Sequence, residues 1–160
     1  MIIINKELIE AAHKYVNGEM AREQVIQKAN GYFKLESYHE ESLIFNFFNK
    51  IFEDPEDNEL RITRNGIIRV LDNHIRRLIS LEEVEHWFWD VIDLTVEESD
   101  SEEDLIYYLL YLLDNIAING ITEKHMIEIY EILISIPDAV KALEEVKKIF
   151  ENKYTKKNNL

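Results

Sequence analysis

The sequence predicts an all-α fold, a single-domain bundle of about seven or eight short-to-medium amphipathic helices. Helix-capping residues recur along the chain, apolar residues recur at spacings of three and four, and glycine and proline number only four and two. A chain of 160 residues that is 46% hydrophobic can bury a substantial core as one domain. We expect this domain to cover residues 1–152 and a frayed polar tail to occupy residues 153–160.

Two short amphipathic helices are predicted first. Asn5 can cap a helix that runs to about residue 16 and ends near Gly18. A second helix is expected over residues 20–30, because Gly31 suits the left-handed residue that follows many helices.

The next predicted helix lies near the centre of the bundle. Ser37 and Glu40 have the spacing of a capping box, in which each side chain caps a backbone N–H at the start of a helix. Pro55 has to follow this helix rather than interrupt it. The apolar residues between them cover most of the circumference, which is typical of a helix buried on several sides.

Residues 60–70 are the one stretch where a strand competes with a helix. Two short apolar runs flank Arg64, Asn65 and Gly66, which suit a hairpin turn. Apolar residues continue past this turn at helical spacing, at Ile68, Leu71, Ile75, Leu78 and Ile79. We therefore favour a helix over residues 65–79 and keep the hairpin as the alternative.

Four helices are predicted in the rest of the chain. Ser80 and Glu83 form a second capping box. A core stripe follows it at Val84, Trp87, Phe88, Val91 and Ile92. After an acidic loop at residues 97–104, an apolar helix is expected to begin near Ser101 and to end before Gly120.

The last two of these helices begin at Thr122 and near Pro137. Thr122 can cap a helix to about residue 135, and Pro137 suits the first turn of the last helix. The inward face of that helix is predicted at Val140, Leu143, Val146, Ile149 and Phe150. Residues 40–45 also resemble residues 102–107, which leaves an internal duplication open.

The net charge of −14 is concentrated in one segment. Residues 78–123 contain 13 of the 32 acidic residues and no lysine or arginine, whereas the other 114 residues hold 19 acids and all 18 bases. Such a segment repels phosphate backbones and attracts cationic partners, so direct nucleic-acid binding is not expected. Solubility alone is the alternative explanation for the charge.

Several classes of protein are disfavoured by simple features of the chain. The absence of cysteine excludes disulfides, thiolate metal sites and a cysteine nucleophile. The N-terminal residues do not resemble a signal peptide, and the longest apolar run, residues 105–113, is about half a membrane span. We therefore expect a cytoplasmic protein that makes no membrane contact and needs no cofactor.

Histidines and carboxylates are the only candidates for catalysis. Three histidines, His13, His39 and His86, lie three residues after a glutamate, as in metal-binding helical bundles. The predicted apolar stripes contain no inward glutamate to complete such a site. Residues 54–58 are rich in oxygen ligands but lack the glycine of a calcium loop, since residue 59 is glutamate. The sequence therefore does not predict an enzyme.

Trp89 is the residue most indicative of binding. It shares a helical face with Glu82, Glu85 and Asp93, whereas its neighbour Trp87 lies on the core stripe. An exposed tryptophan among carboxylates combines the apolar anchor and polar rim of a binding hot spot. The alternative is that a flanking helix covers it. Together with the acidic loop, the predicted partner-binding residues are Glu82, Glu85, Trp89, Asp93, Glu97, Glu98, Asp100, Glu102 and Glu103.

The C-terminal half resembles one family. A serine-capped acidic helix reads Ser80-Leu81-Glu82-Glu83-Val84-Glu85-His86-Trp87, and an acidic loop, a leucine-rich helix, an Asn119-Gly120 break and a helix starting at Thr122 follow it. This order is similar to small all-helical immunity proteins of bacterial polymorphic and contact-dependent toxin systems. The resemblance implies a cytoplasmic inhibitor that binds a cationic toxin, for example a nuclease domain. It covers about half the chain and transfers no individual residue.

The sequence thus predicts a binding protein whose partner is basic, for example a cognate toxin, with the oligomeric state left open. An acidic regulatory adaptor or assembly module that binds another basic protein is the alternative. A metal-dependent enzyme that uses the Glu-x-x-His pairs is the third hypothesis.

Overall fold

The computed structural model describes residues 6–30, 61–92, 94–96 and 100–158. Within these ranges the chain forms seven helices and two two-residue strands. In chain order they are α1 (Lys6–Val16), α2 (Arg22–Asn30), β1 (Arg61–Ile62), α3 (Arg64–Ile75), α4 (Leu81–Val91), β2 (Thr95–Val96), α5 (Asp100–Leu113), α6 (Glu123–Ser135) and α7 (Ala139–Asn158). The predicted all-α bundle is confirmed. The helix predicted between Ser37 and Pro55 lies outside the described residues.

The helices pack around one apolar core. Helix α1 packs on α2, α3 contacts α4 and α6, α5 contacts α4 and α7, and α6 packs on α7. The two strands pair in parallel, with Arg61 opposite Thr95 and Ile62 opposite Val96. The largest fully buried side chains belong to four of the helices and to β1; they include Tyr15, Phe88, Leu8, Ile62, Ile67, Leu71 and Leu105.

Three of the predicted helix starts are formed by local capping. Ser80 Oγ accepts from the backbone N–H of Glu83 at 3.1 Å, and the Glu83 carboxylate accepts from the Ser80 N–H at 3.4 Å. Thr122 and His125 form the same reciprocal pair at the start of α6. Thr63 caps α3 by accepting from the Gly66 N–H at 3.1 Å. Each cap satisfies backbone donors that have no partner inside the helix.

Residues 64–75 are helical, so the hairpin alternative is wrong. The predicted end of this helix at residue 79 is also wrong, because α3 ends at Ile75. Arg77 adopts a left-handed conformation with φ of 62°, and its N–H donates to the His74 carbonyl at 2.9 Å. The Leu78 N–H then reaches the Asn73 carbonyl at 2.8 Å, which completes a Schellman motif. Leu78, predicted on the core stripe, is consequently 69% exposed.

Replacing Arg77 with glycine is expected to raise the free energy of unfolding by about 1 kcal/mol, because only glycine adopts left-handed φ values without a Cβ clash. Arg77→Ala is the matched control, since it removes the same charge but keeps the Cβ and is expected to stay within about 0.5 kcal/mol of the native chain. Urea denaturation measures both values. Equal effects of the two substitutions would show that charge, and not backbone strain, is what matters at this position.

The last helix differs from its predicted form at both ends. Asp138 caps it, because its carboxylate accepts from the Lys141 N–H at 3.0 Å, and Pro137 therefore precedes the helix instead of lying in its first turn. Val140 was predicted to face inward but is exposed. The tail predicted to fray from Lys153 is helical as far as Asn158.

Of the acids that the structure describes in residues 78–123, three bind side chains from outside that segment. Arg64 holds Glu102, with Nε 2.7 Å from Oε1, and His74 Nε2 lies 2.9 Å from Oε1 of Glu123. Arg22 holds Asp90. Arg22 and Arg64 offset the charges of Asp90 and Glu102, so the exposed negative charge of the segment is smaller than the sequence count implies. Among the described residues, no helix is both long enough and apolar enough to cross a membrane.

Candidate protein-binding face

Trp89 lies on the outer side of α4. The core stripe of this helix, at Val84, Trp87, Phe88 and Val91, is buried, so residues offset from that stripe face away from the core. Half of the Trp89 surface is exposed, at 50%, and the alternative that a flanking helix covers the residue is wrong. Tryptophan is enriched among the residues that contribute most to protein interfaces, so a half-exposed tryptophan is a candidate anchor for a partner.

The indole ring is fixed in place although it is exposed. Its Nε1–H donates to the backbone carbonyl of Asp114, just after the end of α5. One turn earlier on α4, the Glu85 carboxylate accepts from the N–H of Ile116 at 3.2 Å. These two bonds fasten the outer side of α4 to the turn that follows α5. The ring therefore needs little further ordering when a partner covers it.

His86 completes the surface around the indole. Its ring centroid lies 5.6 Å from that of Trp89, with the two planes tilted by 37°. Its Nε2 lies 3.8 Å from a carboxylate oxygen of the exposed Glu82. We refer to Glu82, Glu85, His86 and Trp89 as the Trp89 face. It presents an aromatic centre with carboxylates at its edge.

Two more apolar side chains are exposed close in sequence to Asp114, the residue that binds the Trp89 indole. Tyr111 and Ile118 flank Asp114, whose carbonyl binds Trp89. The Asn119 side chain caps the end of α5 by donating to the carbonyls of Tyr111 at 3.3 Å and Leu112 at 2.9 Å. Partial burial raises the pKa of the Asp114 carboxyl.

The structure brings together only some of the predicted binding residues. Glu82, Glu85 and Trp89 share one face of α4. Glu102 is bound to Arg64, and Glu103 is half-buried on α5. Asp100 is the first residue of α5. Asp93, Glu97 and Glu98 lie outside the described residues.

Comparison with protein-family models, with curated proteins and with solved structures finds no match to this chain.

A buried polar cluster lies on the inner side of α4, one residue after Trp89. The Asp90 carboxylate accepts from the Tyr15 hydroxyl and from Nε of Arg22, the latter at 3.0 Å. Asp90 and Arg22 are only 10% and 13% exposed. Burial raises the pKa of Asp90, and burial together with the Asp90 charge raises that of Tyr15 well above its ordinary value. This cluster ties α1 and α2 to α4.

No group of three potential metal ligands is present among the described residues. Glu83 of the Glu83–His86 pair caps α4 with Ser80, and the Glu10–His13 pair lies on the half-exposed outer side of α1. The pair at residues 36 and 39 and the acidic stretch at residues 54–58 lie outside the described residues.

Sequence reasoning missed two contributors to the Trp89 face. The Glu-x-x-His pattern points to His86 only as a partner of Glu83, although its spacing of three from Trp89 places the two rings side by side on a helix. Asp114 binds the Trp89 indole through its backbone carbonyl, which every residue type has, so the sequence gives no sign of this contact. No local pattern could have identified the latter.

Proposed function

We propose that this protein binds a basic protein partner through the Trp89 face, and that it acts as a cytoplasmic inhibitor of a cationic toxin, as immunity proteins do. One observation carries the proposal. Trp89 is half-exposed, its only donor is already engaged by Asp114, and carboxylates lie around it. Such a side chain offers a partner its aromatic surface, while the surrounding charge selects a cation.

The charge of the chain supports a basic partner over other ligands. A net charge of −14 speeds the encounter with a cationic protein and opposes the encounter with nucleic acid. Internal pairing neutralises Asp90 and Glu102, but Glu82 remains exposed on the Trp89 face. Steering by charge together with one rigid aromatic anchor suits a fast and tight inhibitor.

The partner to be tested is the protein encoded by the adjacent reading frame. Its expression alone is expected to arrest growth, and co-expression of this chain is expected to restore it. Trp89→Ala is expected to weaken the complex about thirtyfold. A tryptophan buried at the centre of an interface commonly contributes about 2 kcal/mol or more to the free energy of binding. Isothermal titration calorimetry of the purified pair measures that loss.

Ile134→Ala is the matched control for Trp89→Ala. Ile134 is 54% exposed on α6, so its replacement also removes exposed apolar surface but leaves the Trp89 face intact. Its affinity is expected to equal that of the native chain. Equal losses from both substitutions would contradict the assignment of the face. Binding without growth protection would contradict the inhibitor role and favour an adaptor.

A further inference from the structure

A groove separates the first turns of α4 from the turn between α1 and α2. It encloses about 480 Å³, within the range of known ligand sites. Apolar side chains line much of it, from Met20 in the α1–α2 turn, from Leu78 and Ile79 before α4, and from Trp87 on α4. The groove is therefore suited to an apolar group from outside the chain.

The groove continues towards the Trp89 face. A second cavity of about 540 Å³ shares Ala21, Arg22 and Glu83 with the first. Glu82 and His86 line this second cavity and also belong to the Trp89 face. One partner segment can therefore contact both regions of α4.

The walls of the groove are held by hydrogen bonds between helices. The Asn73 side chain on α3 donates to the Gly18 carbonyl at 3.1 Å, and the Trp87 indole donates to the Tyr15 carbonyl at 2.9 Å. A Cβ on Gly18 would lie 2.8 Å from the Cβ of Arg69, so the turn packs directly on α3. A groove with fixed walls loses little conformational entropy when it is filled.

Leu78 is the most informative residue of the groove. In a Schellman motif the residue at this position usually packs back on its own helix, but Leu78 is 69% exposed. The left-handed Arg77 before it is a conformation that costs free energy in a residue other than glycine. The His74 Nδ1 contact with the Ile79 carbonyl, at 3.1 Å, holds the next residue. A leucine is thus kept in solvent at the groove by a strained turn.

The charge at the groove is negative once internal pairs are accounted for. The titratable groups that line the two cavities are Tyr15, Glu19, Arg22, Glu23, Glu82, Glu83 and His86. Asp90 offsets the charge of Arg22, and Arg69 lies 3.2 Å from Glu19. Glu23 and Glu83 form no ion pair with any residue that the structure describes.

We infer that the groove receives an apolar side chain of a basic protein segment, whose flanking lysines or arginines lie against Glu23, Glu82 and Glu83. The inference rests on the proposed function, because it supplies the second contact of the same cationic partner. Leu78 and Met20 cover the inserted side chain. The acids at the edge select its neighbours and disfavour an acidic segment.

Three acetylated and amidated pentapeptides test this inference without the natural partner: Lys-Lys-Leu-Lys-Lys, Lys-Lys-Ser-Lys-Lys and Glu-Glu-Leu-Glu-Glu. Each is titrated into the full chain while backbone amide shifts are followed by NMR. The first peptide is expected to shift the amides of Met20, Leu78 and Ile79 saturably. The other two are expected to bind at least about tenfold more weakly, because one lacks the leucine and the other has the wrong charge.

Leu78→Ser is expected to weaken binding of the first peptide about fivefold, because it removes part of the apolar contact. Ile134→Ser is the matched control, since Ile134 is similarly exposed on α6, and it is expected to have no effect. Equal binding of the leucine and serine peptides, or shifts confined to other helices, would overturn the inference. The peptides are used without the natural partner, so a groove that binds none of them and a Trp89→Ala chain that keeps full affinity for the natural partner are separate results.

Discussion

Replacing Arg64 with alanine is expected to lower the free energy of unfolding by about 3 kcal/mol, because it leaves a partly buried carboxylate and several carbonyls without their donor. Its Nε and Nη2 bind the two oxygens of Glu102 at 2.7 and 3.0 Å. Its Nη1 reaches the carbonyl of Ile136 at 2.6 Å and that of Leu133 at 3.3 Å, and Nη2 reaches the Pro137 carbonyl at 3.2 Å. One guanidinium therefore joins α3, α5 and the α6–α7 turn.

Urea denaturation of Arg64→Ala, Arg64→Lys and Arg69→Ala separates this role from simple loss of a positive charge. Arg69→Ala removes the same charge from the same helix but breaks a half-exposed pair with Glu19 and an exposed hydrogen bond to the Asn17 carbonyl, so its expected cost is below about 1 kcal/mol. Lysine cannot reproduce the planar, forked geometry and is expected to recover less than half of the loss. Equal stability of the Arg64→Ala and Arg69→Ala chains would contradict the structural role of Arg64.

The Arg64 pair also changes the interpretation of the acidic segment. Glu102 was predicted to contact a partner, but both of its carboxylate oxygens are bound within the chain. A partner would have to displace Arg64 to use it, which costs more than a surface carboxylate returns. We therefore centre the binding surface on α4 and not on the start of α5.

The fold could be predicted where the signal is local. The caps at Ser80 and Thr122 act over three residues, and the phase of the apolar stripe on α4 separates the buried Trp87 from the exposed Trp89. The helix predicted over residues 65–79 was also identified from the spacing of its apolar residues, and α3 covers most of that range. The end of this helix could not be predicted, because Arg77 adopts a left-handed conformation that its residue type does not favour.

The links that complete the candidate site could not be predicted from the sequence. Arg22 and Asp90 are 68 positions apart, and Trp89 and Asp114 are 25 positions apart. Such pairs depend on how the helices pack, and many arginines and acids could have been paired in other ways. The acidic segment is visible in the sequence, but only packing shows which of its described acids remain exposed.

Replacing Asp90 with alanine is expected to lower the free energy of unfolding by about 3 kcal/mol, because it removes the carboxylate that pairs with the buried Arg22 cation and accepts from the Tyr15 hydroxyl. The double substitution Arg22→Met with Asp90→Leu is the matched control. It replaces the whole pair by apolar groups and is expected to be less destabilising than Asp90→Ala alone. Urea denaturation at neutral pH measures both chains, and a larger loss in the double variant would contradict the argument.

The pH dependence of the free energy of unfolding tests whether burial or Arg22 has the larger effect on the Asp90 carboxyl. Asp90→Asn is the reference chain, because it lacks the titrating group. Burial raises the pKa of Asp90 above its ordinary value of 3.8, and the opposing effect of Arg22 is smaller. Between the ordinary and the raised pKa the native chain binds more protons than the unfolded chain, so the free energy of unfolding falls as pH rises. The stability of the native chain relative to Asp90→Asn is therefore expected to be highest below pH 3.8 and to fall as pH rises through the raised pKa. A difference that grows with pH through this window would mean that Arg22 outweighs burial and that the ionised carboxylate is the stabilising form.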